Sequence, residues 1–371
     1  MDPIANPLYL TAPFAFSNPE AFAREACKVR TDSFYTRYGN PGTRAVEDQV
    51  AAMEGGEAAL MLSSGMAALS VLIMTLCGAG SHVVAQRRCY GGTRELLEEL
   101  GRRFAIDTTF VEQADPNAFL AALTPRTKLV LLESPSNPLL GLTDLGALVP
   151  QLNTRGVLCA IDSTIASPVN QQPLAWGVDV VMHSATKYLS GHSDATAGVL
   201  VGCEQLVSEF WKTSILLGCQ CSPLDAWLVG RGVRTLPMRM DAHNRAGRAL
   251  AEWLANHADI ERVYYPGMAG DRALFEAQMS GGGGVVSFQM RGTVEQADAL
   301  LGSLREAQLS ASFGSFGALV TRPAAMWAGL ADTARLQDLD VADTLIRIGV
   351  GFEGVTKLIE DLEGAIASIY H

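Results

Sequence analysis

Between Val157 and Lys187 the chain reads VLCAIDSTIASPVNQQPLAWGVDVVMHSATK. Two apolar runs of strand length, VLCAI and VDVVM, each end abruptly in polar residues. The first ends at Asp162, the second at His183-Ser184-Ala185-Thr186-Lys187. Short apolar runs bounded in this way read as strands buried on both faces. In a parallel sheet such exits lie side by side at the carboxyl edge, where open α/β folds bind ligands. A carboxylate and an amine would then face one pocket.

Working outward, the chain from Asn40 to about Leu236 alternates apolar runs with helical patterns. The runs are His82 to Ala85, Ile106 to Val111, Leu129 to Leu132 and Gly198 to Val201, beside the two quoted. Helical periodicity covers Thr93 to Phe104 and Asp115 to Leu123, the latter opening on an Asp-Pro-Asn cap signal. Repeated strand and helix units imply an α/β fold with a mostly parallel, doubly covered sheet. We divide the chain into an arm (1–39) that packs on a neighbouring subunit, a large ligand-binding domain (40–236) and a smaller C-terminal domain (237–371). In the last, GVVSFQM and LIRIGVG read as strands, and Thr293 to Leu304 and Gly354 to Tyr370 as helices, giving an α+β layer. The four glycines Gly281 to Gly284 read as a flexible turn, since no helix follows to make them a phosphate loop.

A chain of 371 residues that is 48% hydrophobic can bury a large core. Its net charge of -11 argues against nucleic acid or anionic membrane partners, which require a basic face. The seven cysteines lack the paired spacing of a zinc site or a disulfide scaffold, so we expect reduced thiols, no metal and a cytoplasmic protein. No basic region followed by an apolar core marks a targeting signal at the N-terminus. Ala58 to Gln86 carries no charged residue, but Ser63-Ser64-Gly65 and Gly78-Ala79-Gly80 interrupt it, leaving a helix of buried-core length from Met66 to Cys77.

Asp162 and Lys187 together are the equipment of a pyridoxal 5'-phosphate (PLP) site. A lysine amine condenses with the cofactor aldehyde, and an aspartate against the pyridine nitrogen keeps the ring protonated and able to accept electrons. Ser184 and Thr186 add hydroxyls placed for a phosphate. Singly, Lys187 reads as a surface lysine after a strand and Asp162 as a helix cap. Ser64-Gly65-Met66 precede the apolar helix, and their amides would project from a helix N-terminus that favours an anion; a plain serine cap is the alternative.

The string HSATKYLSGHSDATAG (183–198) resembles the cofactor-lysine motif of the Cys/Met-metabolism PLP enzymes, a fold-type I group of trans-sulfuration transferases and lyases. It includes cystathionine γ-synthase, cystathionine γ-lyase, cystathionine β-lyase and methionine γ-lyase. The likeness continues through Tyr35, SSGMAA (63–68), CYGGT (89–93), ESPSNP (133–138), RGVRTLPMRM (231–240) and LIRIGVGFE (345–353). It implies that Gly65 and Met66 join Ser184 and Thr186 on the phosphate, and that Tyr35 and Arg37 cross a dimer interface to the neighbour's phosphate. It further implies that Tyr90 stacks on the pyridine and carries protons, and that Asn137 donates to the phenolic oxygen. Arg347 would clamp the substrate α-carboxylate, with Ser312 beside it. Without the family, Tyr35 and Arg37 read as surface residues, Tyr90 as a core tyrosine and Glu133 as a loop or structural carboxylate. Arg347 alternates with Ile346 and Ile348, so it leaves the face those apolar chains occupy. The expected assembly is a homotetramer built from catalytic dimers.

The pattern departs from the family around the substrate. Phe34 and Ala311 stand where cystathionine-processing lyases often carry glutamates for the distal ammonium, and Gly92 where methionine γ-lyases commonly have a cysteine. Ser312 to Leu319 and Met326-Trp327-Ala328 are also altered, which makes the entrance more apolar. CYGGT, ESPSNPLL and GHSD look most like cystathionine γ-synthase. The expected activity is PLP-dependent γ-replacement or γ-elimination on a small homoserine-derived or sulfur-containing amino acid. A β-lyase would use the same residues, and a catalytically silent scaffold would not need all of Lys187, Asp162, Tyr90 and Arg347.

Overall fold

The structure is a computed structural model that describes residues 4–268, 270–327 and 341–370. Seven strands, β1 (Ala58–Leu62), β2 (His82–Gln86), β3 (Asp107–Val111), β4 (Thr127–Glu133), β5 (Leu158–Asp162), β6 (Val180–His183) and β7 (Gly198–Gly202), form one sheet in the order β1-β7-β6-β5-β4-β2-β3. Strands β2 to β6 run parallel, while β7 is antiparallel to both its neighbours. The expected α/β class with a mostly parallel sheet is what the chain adopts.

Successive residues of each strand serve opposite layers, as a pleated backbone requires. Val130 and Leu132 of β4 join a core with Phe119, Leu148 and Val229, whereas Leu129 and Leu131 join one with Leu72, Leu97 and Phe210. Covering helices on both faces explain why the strands other than the edge strand β3 are buried along most of their length and read as apolar runs. Strand β1 was not expected from the sequence. Ala58 to Gln86 reads as one uncharged stretch, and pairing of β1 with β7 separates a strand from the buried helix Gly65–Leu76. Among the described residues, no helix is long and apolar enough to cross a membrane.

A second, smaller sheet combines β8 (Ile260–Tyr264), β9 (Val285–Met290), β10 (Ala307–Leu309), β11 (Ala318–Thr321) and β12 (Leu345–Gly349) in the order β10-β11-β12-β9-β8. It is antiparallel except between β10 and β11. Strands β9 and β12 match the two apolar runs read from the sequence; β8, β10 and β11 are too short or too polar to stand out. The helices Val294–Ser303 and Val355–Tyr370 cover this sheet. The helix Leu236–Ala255 joins the layers: Leu236 and Met240 lie in the core of the large sheet, Leu250 and Leu254 in that of the small one.

The glycine run is not a flexible turn. Gly281 to Gly284 are buried where the small sheet meets that helix, and a Cβ on Gly282 would lie 2.5 Å from Tyr265 Cζ. Gly283 N donates to Asn244 Oδ1 and Gly284 N to Tyr188 Oη, each at 2.8 Å. A side chain would hold the backbone away from those partners, so the run is a close-approach passage. At the other end of the chain, the helix Pro19–Ala26 buries no residue, and Pro13 makes an isolated bridge to Tyr35.

Candidate active site

The exits of β4, β5 and β6 meet a loop and a strand of the small sheet around a cavity of about 270 Å³. Parallel pairing sets Glu133 beside Asp162 and Asp162 beside Met182, so the polar residues that end these strands share one rim. Lys187, Asp162, Ser184 and Thr186 line the cavity, as do Gly65, Met66, Tyr90 and Asn137. Across from them stand Arg347, Ser312 and Ala311.

One end suits an anion. Ser64 caps the helix Gly65–Leu76 by accepting from Ala67 N at 3.0 Å, which leaves the Gly65 and Met66 amides at the positive end of the helix. A Cβ on Gly65 would lie 2.9 Å from Ser184 Cβ, so glycine is what lets the Ser184 hydroxyl come alongside that terminus. Ser184 is held from behind, its amide donating to Thr164 Oγ1 at 2.8 Å. The Thr186 hydroxyl exchanges bonds with Ala197, donating to its carbonyl at 3.2 Å and accepting from its amide at 3.0 Å.

Asp162 Oδ1 accepts from the Thr164 amide at 2.9 Å and hydroxyl at 2.5 Å, which leaves Oδ2 for another donor. Burial raises the Asp162 pKa above the usual carboxylate range, and the Thr164 bonds pull the other way. Glu133 is pushed up to about 8 by burial first and by the neighbouring Asp162 charge second. Its oxygens take the Tyr90 amide at 2.7 Å and the Asn137 amide at 2.6 Å. Two adjoining buried carboxylates favour a cation between the sheet and the cavity.

Lys187 Nζ donates to Ser312 Oγ at 2.6 Å. Burial, aided by the charge of Arg347, brings the Lys187 pKa down to about 8, so more of the amine is neutral near neutral pH than in a free lysine. Arg347 extends from β12 and is buried; Nη1 donates to Asn137 Oδ1 at 2.9 Å and Nη2 to the Ser312 carbonyl at 3.2 Å. Its Nε is a buried donor without a hydrogen-bond partner among the described residues. A guanidinium with such an orphan donor suits an incoming carboxylate. Burial also lowers the Arg347 pKa to about 10. Ser312 itself has φ 94°, a conformation that costs a non-glycine residue about 1–3 kcal/mol and persists where its surroundings enforce it.

The residues present fit pyridoxal 5'-phosphate. A helix N-terminus with a glycine cradle would take the phosphate, Asp162 Oδ2 the pyridine nitrogen and the depressed Lys187 amine the aldehyde. With Asn137 Oδ1 occupied by Arg347, the Asn137 NH2 would serve the phenolic oxygen.

Three residues stand apart from this cavity. Phe34 packs in an arm cluster with Phe22 (5.3 Å between centroids), Tyr38 (5.5 Å) and Phe16 (6.1 Å). Arg37 donates to the Ile215 carbonyl at 2.8 Å and lies 4.8 Å over the Tyr38 ring, while Tyr35 is largely exposed. Sequence reasoning missed Thr164, whose only signal is its place two residues after Asp162, and Phe313, whose ring lies 5.4 Å from Lys187 Nζ and 5.5 Å from Arg347 Cζ. Of the altered entrance segment, Met326 lines the cavity and Ala328 lies outside the described residues.

Comparison with known proteins places this geometry in a family. The chain is 36% identical over 371 residues to L-methionine gamma-lyase of Porphyromonas gingivalis, covering 99% of this chain and 93% of the relative. It is 37% identical over 365 residues to O-succinylhomoserine sulfhydrylase of Pseudomonas aeruginosa, covering 98% and 90%. The solved structure of cystathionine gamma-lyase from Lactobacillus plantarum complexed with L-serine superposes with a TM-score of 0.91 at 33% identity, over 98% of this chain and 93% of that one. The family model described as Cys/Met metabolism PLP-dependent enzyme matches residues 1–367, and the chain belongs to that family.

Proposed function

We propose that the protein catalyses γ-replacement or γ-elimination on a small homoserine-derived or sulfur-containing amino acid. The observation that carries this reading is Arg347, buried with no partner for its Nε among the described residues, beside a Lys187 whose pKa burial brings down to about 8. When bound, PLP supplies the electron sink that acidifies carbon atoms next to the substrate amine. Arg347 would hold the α-carboxylate by its fork, which fixes the α-carbon against Lys187. Lys187 would then take the α proton and pass protons along the substrate chain, with Tyr90 as partner, until the γ substituent departs. A thiol that adds at the γ-carbon gives a replaced amino acid; hydrolysis instead gives a 2-oxo acid and ammonia.

The distal wall bears on which substrates are used. Ala311, Phe313, Pro323 and Met326 line it, and none offers a carboxylate to a distal ammonium. An unpaired charge there is costly, which supports a preference for acyl or alkyl distal groups over cystathionine. Phe34 bears on that wall only if the arm of a neighbouring subunit brings it there, as Tyr35 and Arg37 would be brought to a phosphate. The reading therefore includes catalytic dimers, paired into a homotetramer, in the cytoplasm.

The test is a screen of purified protein with O-acyl-homoserines, cystathionine, cysteine and methionine, with and without added thiol. Turnover of O-acyl-homoserines, diverted by thiol from 2-oxo acid to a substituted amino acid, is expected. Cystathionine as the best substrate would refute the distal-wall argument, and products of β-cleavage alone would refute γ chemistry.

A further inference from the structure

Glu133 ends β4 in a position with two neighbours of consequence. Its Oε2 accepts from the Tyr90 amide at 2.7 Å, at the start of the helix Gly91–Phe104, and its Oε1 accepts from the Asn137 amide at 2.6 Å. Asn137 in turn accepts from Arg347 Nη1 at 2.9 Å. The strand end is itself pinned: Gln86 Oε1 accepts from Glu133 N at 2.8 Å, and Gln86 Nε2 and Gln113 Nε2 donate to its carbonyl at 2.9 and 3.1 Å. Both groups facing the carboxylate are N–H donors, so two acceptor oxygens are needed, and an amide side chain could offer only one. The two amide bonds favour the ionised form, while burial and the neighbouring Asp162 push the pKa of this carboxyl group up to about 8.

We propose that Glu133 is a positioning residue that couples the two working ends of the site, setting the Tyr90 ring over the cavity through Oε2 and the Arg347 fork through Oε1 and Asn137. Tyr90 caps its helix without a side-chain hydrogen bond, so its place depends on the backbone that Glu133 holds. Arg347 likewise has its Nη1 aimed by an acceptor whose own amide Glu133 fixes. Substituting Glu133 therefore loosens two residues at once, one on each side of the substrate. The inference rests on the proposed roles of Tyr90 and Arg347 in the reaction.

The experiment is a pair of double-mutant cycles on the cofactor-loaded enzyme, Glu133→Gln with Tyr90→Phe and Glu133→Gln with Arg347→Lys. It uses whichever amino acid the substrate screen shows to be turned over fastest. Glu133→Gln alone should lower kcat/KM about 10- to 100-fold, the scale of a lost charge-assisted bond, through both a smaller kcat and a larger KM. In the Tyr90→Phe background its effect on kcat, and in the Arg347→Lys background its effect on KM, should shrink to within about twofold, the additivity error of such cycles. Hydrogen exchange of the cofactor-free protein gives a readout apart from activity: Glu133→Gln should speed exchange in the peptides carrying Tyr90 and Asn137. Effects that multiply independently in both backgrounds would overturn the coupling, leaving a merely structural carboxylate. If Glu133→Gln does not fold, the same cycles are read on Glu133→Asp, which keeps the carboxyl group one methylene short. Defective Tyr90→Phe and Arg347→Lys enzymes beside a silent Glu133 variant would sink this inference alone. Silent Tyr90→Phe and Arg347→Lys enzymes would sink the active-site reading together with it.

Discussion

Asp162, Ser184 and Lys187 reach the cavity from adjacent exits of the large sheet, in backbone that is regular up to the residues proposed to hold the cofactor. Arg347 and Ser312 reach it from the small sheet, and neither is held by its own surroundings alone. Ser312 has φ 94° and accepts from Lys187, while Arg347 is aimed by Asn137, a residue of the large-sheet side. The proposed cofactor side is thus formed within the large-sheet layer, and the proposed substrate side where the two sheets meet. Cofactor capture and substrate recognition should accordingly be separable by mutation.

The largest effect is expected on the first side. Lys187→Ala should lower kcat by roughly 100- to 10,000-fold, the span for a positioned general base, and borohydride reduction of the native enzyme should fix the cofactor on Lys187. Peptide mapping that finds the label on another lysine breaks the comparison at its root.

Next comes the arm, whose Arg37 lies outside the cavity and would serve a neighbouring subunit in the proposed dimer. Arg37→Ala and Lys187→Ala enzymes should each be nearly inactive. After subunit exchange the mixture should recover about a quarter of wild-type turnover, because about half of reassorted dimers are mixed and each of those holds one complete site. No recovery despite demonstrated exchange would show that sites are not shared.

The pH dependence joins the two sides. The neutral amine is the nucleophile, and burial with Arg347 nearby brings Lys187 down to about 8. Capture of cofactor by the cofactor-free protein should therefore quicken about tenfold per pH unit on the acid side and level off above the Lys187 pKa. Arg347→Gln removes a repelling charge, so the bend should move to higher pH. A bend that does not move would mean that Arg347 does not act on the lysine across the cavity.

The smallest effect belongs to the distal wall. Ala311→Glu should raise the use of cystathionine relative to O-acyl-homoserines by about fivefold, as expected for a partly exposed ion pair worth about 1 kcal/mol. An unchanged ratio of kcat/KM values would place the distal group elsewhere.

How much could be read without the structure follows the same division. The strands β2 and β4 to β7 announce themselves because burial on both faces demands continuous apolar runs, whereas the edge strand β3 alternates exposed and half-buried residues; Asp162 ends one such run and Lys187 follows another. Strand β1 hides in an uncharged stretch that also contains a helix, since composition is alike in both and pairing alone separates them. Gly281 to Gly284 mislead because glycine permits either a loose turn or a close approach, and the choice lies with Tyr265, Asn244 and Tyr188, residues remote in the chain. Glu133 shows the same limit within the site: its residue type and strand end are legible, but not the two amides that converge on it.

The sequence carries the α/β class and the side chains at the strand exits, because hydrophobic period and residue chemistry are local properties of the chain. It determined the membership in the PLP-dependent family through motifs that are contiguous for the same reason. The folded arrangement alone shows that Arg347 is buried with no partner for its Nε among the described residues, that Ser312 meets Lys187, that Glu133 spans two amides and that Phe34, Tyr35 and Arg37 stand outside the cavity. Each of those facts depends on burial and on directional bonds between segments far apart in the chain, and neither is encoded in the spacing of residues along it.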